Sequence, residues 1–261
     1  MITFSIVTVT YNAASVIRPT LESVKRQNYS HVEHIIIDGA STDDTMAVVN
    51  AYAEQMAEQR KGWVLRVVSE PDKGIYDAMN KGLGMVTGDY VCFLNAGDRL
   101  PDEDTLDKMA KVAENFTGIQ LPGVLYGDTD IVDNEGRFLA HRHLSPPDHL
   151  TWKSFMMGMR VCHQAFYARK DFAKSTPYDL RYRLSADVDW CIRVMRKAEE
   201  ERASLVRVDG VVAHYLKEGQ TTKHHRASLR ERFDVMSRHY GRLTTIALHG
   251  WFVVRALWSK V

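Results

Sequence analysis

The stretch Asp89-Tyr90-Val91-Cys92-Phe93-Leu94-Asn95-Ala96-Gly97-Asp98 decides how this chain is read. An apolar run bounded by polar turn residues reads as a buried strand, here over residues 90–94. The small residues that follow turn the backbone sharply and leave Asp98 just beyond the strand's C-terminal end. In open α/β sheets that edge is where ligands bind. A carboxylate there can hold a divalent cation, and the cation can hold a diphosphate. The competing assignment for Asp98 is a cap on a helix over residues 101–112.

Outward from this stretch, strand and helix patterns alternate. Phe4–Thr10 reads as a first strand, followed by a helix over residues 15–27 with Ile17, Leu21 and Val24 on one face. Residues 34–37 form a second strand, and an N-cap-rich Ser41-Thr42-Asp43-Asp44-Thr45 leads into a helix over 46–59. Residues 63–68 read as a third strand and 74–85 as a third helix. Repeated units of this kind imply a mostly parallel sheet with helices on both faces. After residue 120 the pattern changes to short strands over 124–128, 136–139, 205–208 and 211–215, with a helix over 188–198. No Ser- or Gly-rich linker separates the halves, so they are expected to pack continuously.

Composition narrows the class. Of 261 residues, 45% are hydrophobic and 26% charged, which is ordinary for a globular protein. A net charge of +1 gives no general reason to expect a nucleic-acid partner. Cys92, Cys162 and Cys191 are far apart and read as buried free thiols in a reducing compartment. The N-terminus opens directly into a strand with no signal-peptide pattern, so a cytoplasmic location is expected. Residues 243–258 are apolar and Trp-rich, follow a basic segment, and are too short to span a bilayer. They read either as an interfacial membrane element or as a last helix packed on the core.

Four polar clusters fall at successive strand ends: Thr8-Val9-Thr10-Tyr11-Asn12, Asp38-Gly39-Ala40-Ser41, Glu70-Pro71-Asp72-Lys73-Gly74 and Asn95-Ala96-Gly97-Asp98. Each alone is turn chemistry, but together they favour one ligand site. There is no GxGxxG after the first strand and no GxxxxGK[ST], which disfavours dinucleotide dehydrogenases and P-loop NTPases.

These motifs resemble the family 2 glycosyltransferases. The opening strand Ser5–Asn12, the run Ile35–Thr45, and above all Glu70-Pro71-Asp72-Lys73-Gly74-Ile75-Tyr76-Asp77-Ala78-Met79-Asn80-Lys81-Gly82 are similar to a bacterial subgroup that includes colanic-acid and other exopolysaccharide enzymes. The resemblance implies a GT-A fold, Rossmann-like, with a mostly parallel central sheet, helices on both faces and a smaller acceptor-side sheet. Residues 1–98 would be the nucleotide-sugar-binding half, 99–220 the acceptor and catalytic half of the same domain, and 221–261 a basic, Trp-rich helical tail. It also implies a nucleoside-diphosphate sugar donor and inversion at the anomeric carbon.

Residue roles carry over by position. Tyr11 would stack on the base and Asp38 would accept the base imide N–H, with Thr10, Asp72 and Asn95 completing the donor site. Asp98 matches the last acid of the family's metal motif, for Mn2+ or Mg2+, while Asn95 replaces the first acid of its Asp-X-Asp form. In Ser185-Ala186-Asp187-Val188-Asp189-Trp190, Asp187 aligns with the general base and Asp189 is the fallback or a supporting partner. The alternative for both acids is the N-terminus of the following helix. His163 and Gln164 would line the acceptor pocket, or His163 would be a strand-edge histidine. His214 would complete the metal site or be a core histidine. Lys217 and Lys223 would neutralise the diphosphate. Met156, Met157 and Met159 read as core filler or a soft acceptor surface. The acceptor would be a glycan or lipid-linked oligosaccharide, with residues 223–261 contacting the inner-membrane surface and the enzyme peripheral on its cytoplasmic face. A nucleotidyltransferase and a non-catalytic nucleotide- or glycan-binding module are the competing functions.

Overall fold

The computed structural model describes residues 1–59, 62–217 and 225–258. Strands β1 (Phe4–Thr10), β2 (Val32–Asp38), β3 (Val64–Ser69) and β4 (Tyr90–Phe93) are parallel and lie in the order β3-β2-β1-β4. Helices α1 (Ile17–Lys25), α2 (Thr45–Gln59) and α3 (Ile75–Met85) make the crossovers. Alternation across β2 shows why both faces must be covered. Ile36 packs with Ile17 and Leu21 of α1 and Val49, Tyr52 and Met56 of α2, whereas Ile35 and Ile37 join the main core with Met79 and Leu83 of α3. The register sets Thr10 opposite Asp38 and Asp38 opposite Ser69, so three strand ends finish level.

The second half extends this sheet rather than forming its own. Strand β7 (Phe166–Arg169) pairs antiparallel with β4 and also with β5 (Val124–Val132). β6 (Phe138–His141) flanks β5, and β8 (Leu205–Leu216) runs parallel along it, giving eight strands in all. The two late strands expected from sequence are therefore one 12-residue strand. Register shifts between Tyr126 and Thr129 of β5 absorb the extra residues of β8 around Asp209-Gly210.

Helix α4 (Thr105–Glu114) begins four residues later than the sequence predicts. Asp102 is the reason. Its carboxylate accepts from the Asp104 N–H and the Thr105 hydroxyl, holding residues 101–104 in a turn ahead of the helix. After α5 (Lys170–Ser175), helix α6 (Ala186–Glu200) is locked to the sheet by Trp190. That side chain is fully buried, meets Phe93 and Phe166 edge-on, and stacks on Tyr178. α7 (His225–Tyr240) and α8 (Arg242–Trp258) close the chain. Among the described residues no helix is long and apolar enough to cross a membrane.

Candidate active site

Asp98 is buried at the C-terminal edge of β4, and it does not cap α4. Its Oδ2 accepts from Gln164 Nε2 at 2.7 Å and its Oδ1 from the Leu216 backbone N–H at 3.0 Å. Gly97 makes the second contact feasible. It sits at φ +103°, and a Cβ there would lie 2.6 Å from Leu216 Cδ2. Burial raises the Asp98 carboxyl to about 6, against the opposing hydrogen bonds from Gln164 and Leu216.

Asp187 lies in the first turn of α6, after Ser185. Its carboxylate turns outward rather than to its own helix. Oδ1 accepts from the Tyr76 hydroxyl of α3 at 3.1 Å, and Oδ2 meets His163 Nδ1 at 3.3 Å. Burial opposes its charge, but His163, Arg232 and Tyr76 together hold its carboxyl below the ordinary value. It is thus an anion at neutral pH, as a proton acceptor must be.

The two acids are joined through neighbouring residues. His163 and Gln164 stand side by side in a short 3-10 turn, His163–Ala165, just before β7. His163 faces Asp187 and also accepts from Asn95 Nδ2 at 3.1 Å, while Gln164 faces Asp98. Asn95, Asp98, His163, Gln164 and Asp187 therefore form one buried polar group.

A second group lies along the same edge. Tyr11 is 62% exposed beyond β1. A Cβ on Gly39 would fall 2.4 Å from Asp72 Oδ2 and 3.3 Å from Tyr11 Cδ2, so the missing side chain lets these two converge. Asp72 Oδ1 accepts from the Gly74 N–H at 2.8 Å. Asp38, expected to meet the base directly, is placed otherwise. It is fully buried, and its oxygens accept from the Ser41 N–H, the Ser41 hydroxyl and the Ser69 hydroxyl. Its local role is to brace the loop under Tyr11 and Gly39. Between the groups, Thr10 Oγ1 and Asn95 Oδ1 are buried with no hydrogen-bond partner. Such atoms cost about 1–3 kcal/mol each unless a ligand or water meets them.

Three expected residues are not in the cluster. Asp189 accepts from Arg193 Nε at 2.7 Å and pairs with His239 Nε2 at 2.8 Å, which ties α6 to α7. His214 pairs across the sheet with Asp130 and bridges to Arg99, and its charged neighbours are Asp130, Arg99 and Asp102. Alternation along β8 turns it away from the face of Tyr215, which does sense Asp98 and Asp187. Lys217 is exposed in the turn after Leu216. Lys223 lies outside the described residues. Of the methionines, Met159 is core and Met156 and Met157 are half-buried.

Sequence reasoning missed Tyr76, Tyr215 and Arg232. Tyr76 lies inside the long Glu70–Gly82 motif and could have been read there. Arg232, on α7, bears on Asp187 and has a buried Nε without a partner. Its only sequence signal was membership of a basic segment. A cleft of 320 Å3 lined by Asp89, Leu121, Arg169, Lys170 and Asp171 lies at the opposite edge of β4, and ion pairing between Arg169 and Asp171 already satisfies it.

Among the described residues no group of three or more His, Cys, Asp or Glu could hold a metal by itself. The donor set still suits a hard cation. Mg2+ in particular binds through one or two carboxylates, with substrate phosphates and water supplying the rest. Asp98 is the residue that would supply such a carboxylate.

The level strand ends, the polar edge and the paired acids define an α/β protein with one polar site at the C-terminal edge of its sheet. The sequence model of Glycosyl transferase family 2 matches residues 5–175, and the chain belongs to that family. It is 37% identical over 192 residues to the PGL/p-HBAD biosynthesis glycosyltransferase of Mycobacterium tuberculosis (strain ATCC 25177 / H37Ra), covering 73% of this chain and 68% of the relative. To the amylovoran biosynthesis glycosyltransferase AmsB of Erwinia amylovora it is 29% identical over 198 residues, covering 74% and 64%. S. aureus TarS 1-349, solved with UDP-GlcNAc, superposes with a TM-score of 0.68 at 18% identity, covering 90% of this chain; the chain spans 64% of TarS 1-349. The mannosyltransferase PcManGT from Pyrobaculum calidifontis, solved with GDP-Man and Mn2+, gives a TM-score of 0.63 at 17% identity, covering 99% of this chain and 79% of the neighbour. The protein is a glycosyltransferase with the GT-A architecture, which sets aside the nucleotidyltransferase and the non-catalytic module.

Proposed function

We propose that this enzyme moves a sugar from a UDP-sugar, with inversion, to a hydroxyl of a surface-glycan or lipid-linked oligosaccharide acceptor. The observation that carries this reading is the pair of buried acids, Asp98 and Asp187, joined through His163 and Gln164. Inversion in one step needs a carboxylate beside the acceptor hydroxyl and a separate positive charge at the leaving diphosphate. Asp187 takes the hydroxyl proton as the acceptor oxygen bonds to the sugar C1 and the bond from C1 to the diphosphate oxygen breaks. Asp98 would hold the divalent cation, Mn2+ or Mg2+, which supplies charge to the departing diphosphate when bound. Lys217, the residue after the Leu216 whose N–H meets Asp98, would add charge there. Tyr11 offers a face for the base, and Asp72 Oδ2, rather than the enclosed Asp38, offers the acceptor for its imide N–H. Thr10 Oγ1 is left for the ribose or phosphate.

Calorimetric titration with UDP tests the donor half. UDP binding should require Mn2+ in the native protein and fall at least about tenfold in Asp98→Ala. Equal affinity with and without the metal would remove Asp98 from this role.

A further inference from the structure

We propose that Asn95 and His163 are positioning residues for Asp187: the Asn95 amide donates to His163 Nε2, fixes the ring proton on Nδ1, and so directs a neutral N–H at Asp187 Oδ2. The proposal rests on the reading of Asp187 as the base. A neutral imidazole has one donor nitrogen and one acceptor nitrogen, and the partner of one decides the state of the other. Here the Asn95 Nδ2 to His163 Nε2 distance is 3.1 Å and the His163 Nδ1 to Asp187 Oδ2 distance is 3.3 Å. Asp187 is an anion and needs a donor from His163, so Nδ1 carries the proton. Nε2 then offers its lone pair, and Asn95 must present its NH2 group to it. The same orientation leaves Asn95 Oδ1 buried without a partner, so the amide has given up its oxygen's bond to make this one.

The consequence for chemistry is specific. Asp187 holds one donor on each oxygen, His163 on Oδ2 and Tyr76 on Oδ1, which fixes the plane of the carboxylate. Position 95 sets how basic that carboxylate is. An aspartate there would accept where asparagine donates. Nε2 would then be protonated, and His163 would become a cation between two carboxylates. A full charge beside Asp187 would make it a weaker base. Asparagine at 95 keeps the ring neutral. The other titratable groups shown to bear on this pair are Tyr76 from α3, Asp98 after β4, Cys162 beside His163, Tyr178 before α6, Cys191 of α6, Tyr215 of β8 and Arg232 from α7. None of them contributes the polarity that Asn95 does, since Asn95 is the residue hydrogen-bonded to Nε2.

The test is the nitrogen-15 spectrum of the full chain labelled at histidine, with no ligand added. His163→Gln identifies the His163 signals. At pH 7.5 the native ring should be neutral with its proton on Nδ1. In Asn95→Asp, which is nearly isosteric, both nitrogens should be protonated at that pH, with the titration midpoint raised by about one pH unit or more. Hydrolysis of a UDP-sugar by Asn95→Asp should also slow about tenfold. A native ring protonated on Nε2, a native imidazolium at pH 7.5, or an unchanged ring in Asn95→Asp would each overturn the proposal. The spectrum is read without substrate. Its failure is therefore distinct from failure of Asp187 as base, which would show as full hydrolysis in Asp187→Asn.

Discussion

Asp98 serves two opposed ends, and the conflict is measurable. Burial raises its carboxyl to about 6 in the folded protein, above the unfolded value of about 3.9. The folded state therefore binds more protons between these values. The stabilisation from that proton is complete below about pH 4 and is lost as pH rises through 6. Above pH 7 the ionised carboxylate costs about 2–3 kcal/mol in the metal-free protein. Asp98→Asn removes the charge, and Gln164 can rotate its amide to accept from the new NH2 while Leu216 still donates to the oxygen. Urea unfolding should show Asp98→Asn more stable than the native metal-free protein at pH 8 by about 2 kcal/mol, with the gap closing toward pH 4. A gap that does not change with pH would contradict the burial argument. At this scale the sequence was informative where one residue type has one use. A carboxylate past a buried strand reads as a ligand holder, and Asp98, Asp187, His163 and Gln164 all carry such signals. Asp38 shows the limit. Its type and place suit a base contact, but two serines, one of them 31 residues beyond it on the neighbouring strand, enclose it. No local pattern reveals that closure.

The elements show why some acids at one helix end differ in role. Asp187 and Asp189 are two residues apart, so the helix turns them about 200° from one another. Asp187 faces the sheet edge and Asp189 faces α7. Asp189 is 2% exposed between Arg193 and His239. Removing one partner of a buried ion pair costs about 3–5 kcal/mol. Asp189→Ala should lower stability by about that much in urea unfolding, while the protein that stays folded keeps UDP affinity. Loss of UDP affinity at unchanged stability would move Asp189 into the donor site. The parallel first half was legible because its strands are apolar runs closed by polar turns. β7 and the length of β8 were not. β7 is four residues, and β8 is interrupted by Asp209-Gly210, where only pairing with β5 makes one strand of two segments. His214 follows from the same strand: its place on one face of β8 is set by register, which the sequence does not print.

At the scale of the whole molecule, the proposed acceptor approach involves the C-terminal helices. The outward face of α8 carries Leu243, Ile246 and Trp251, which are 84%, 51% and 51% exposed. By sequence, residues 225–258 contain six arginines and two acidic residues, Glu231 and Asp234. An apolar face within a basic segment fits an anionic lipid surface. α7 also reaches the site through Arg232, so a membrane-held face would present the site to a lipid-linked acceptor. The full chain should float with vesicles containing phosphatidylglycerol, and Leu243→Ser, Ile246→Ser and Trp251→Ser together should abolish flotation. Equal flotation of both proteins would remove this face from membrane contact. The chemistry itself is tested most directly by UDP release from a panel of UDP-sugars in the presence of Mn2+, with water standing in for the acceptor hydroxyl. Asp187→Asn should bind UDP as the native protein does and release it from the donor at least about 100-fold more slowly. Release at the native rate would contradict the account, because the proton would then have another acceptor.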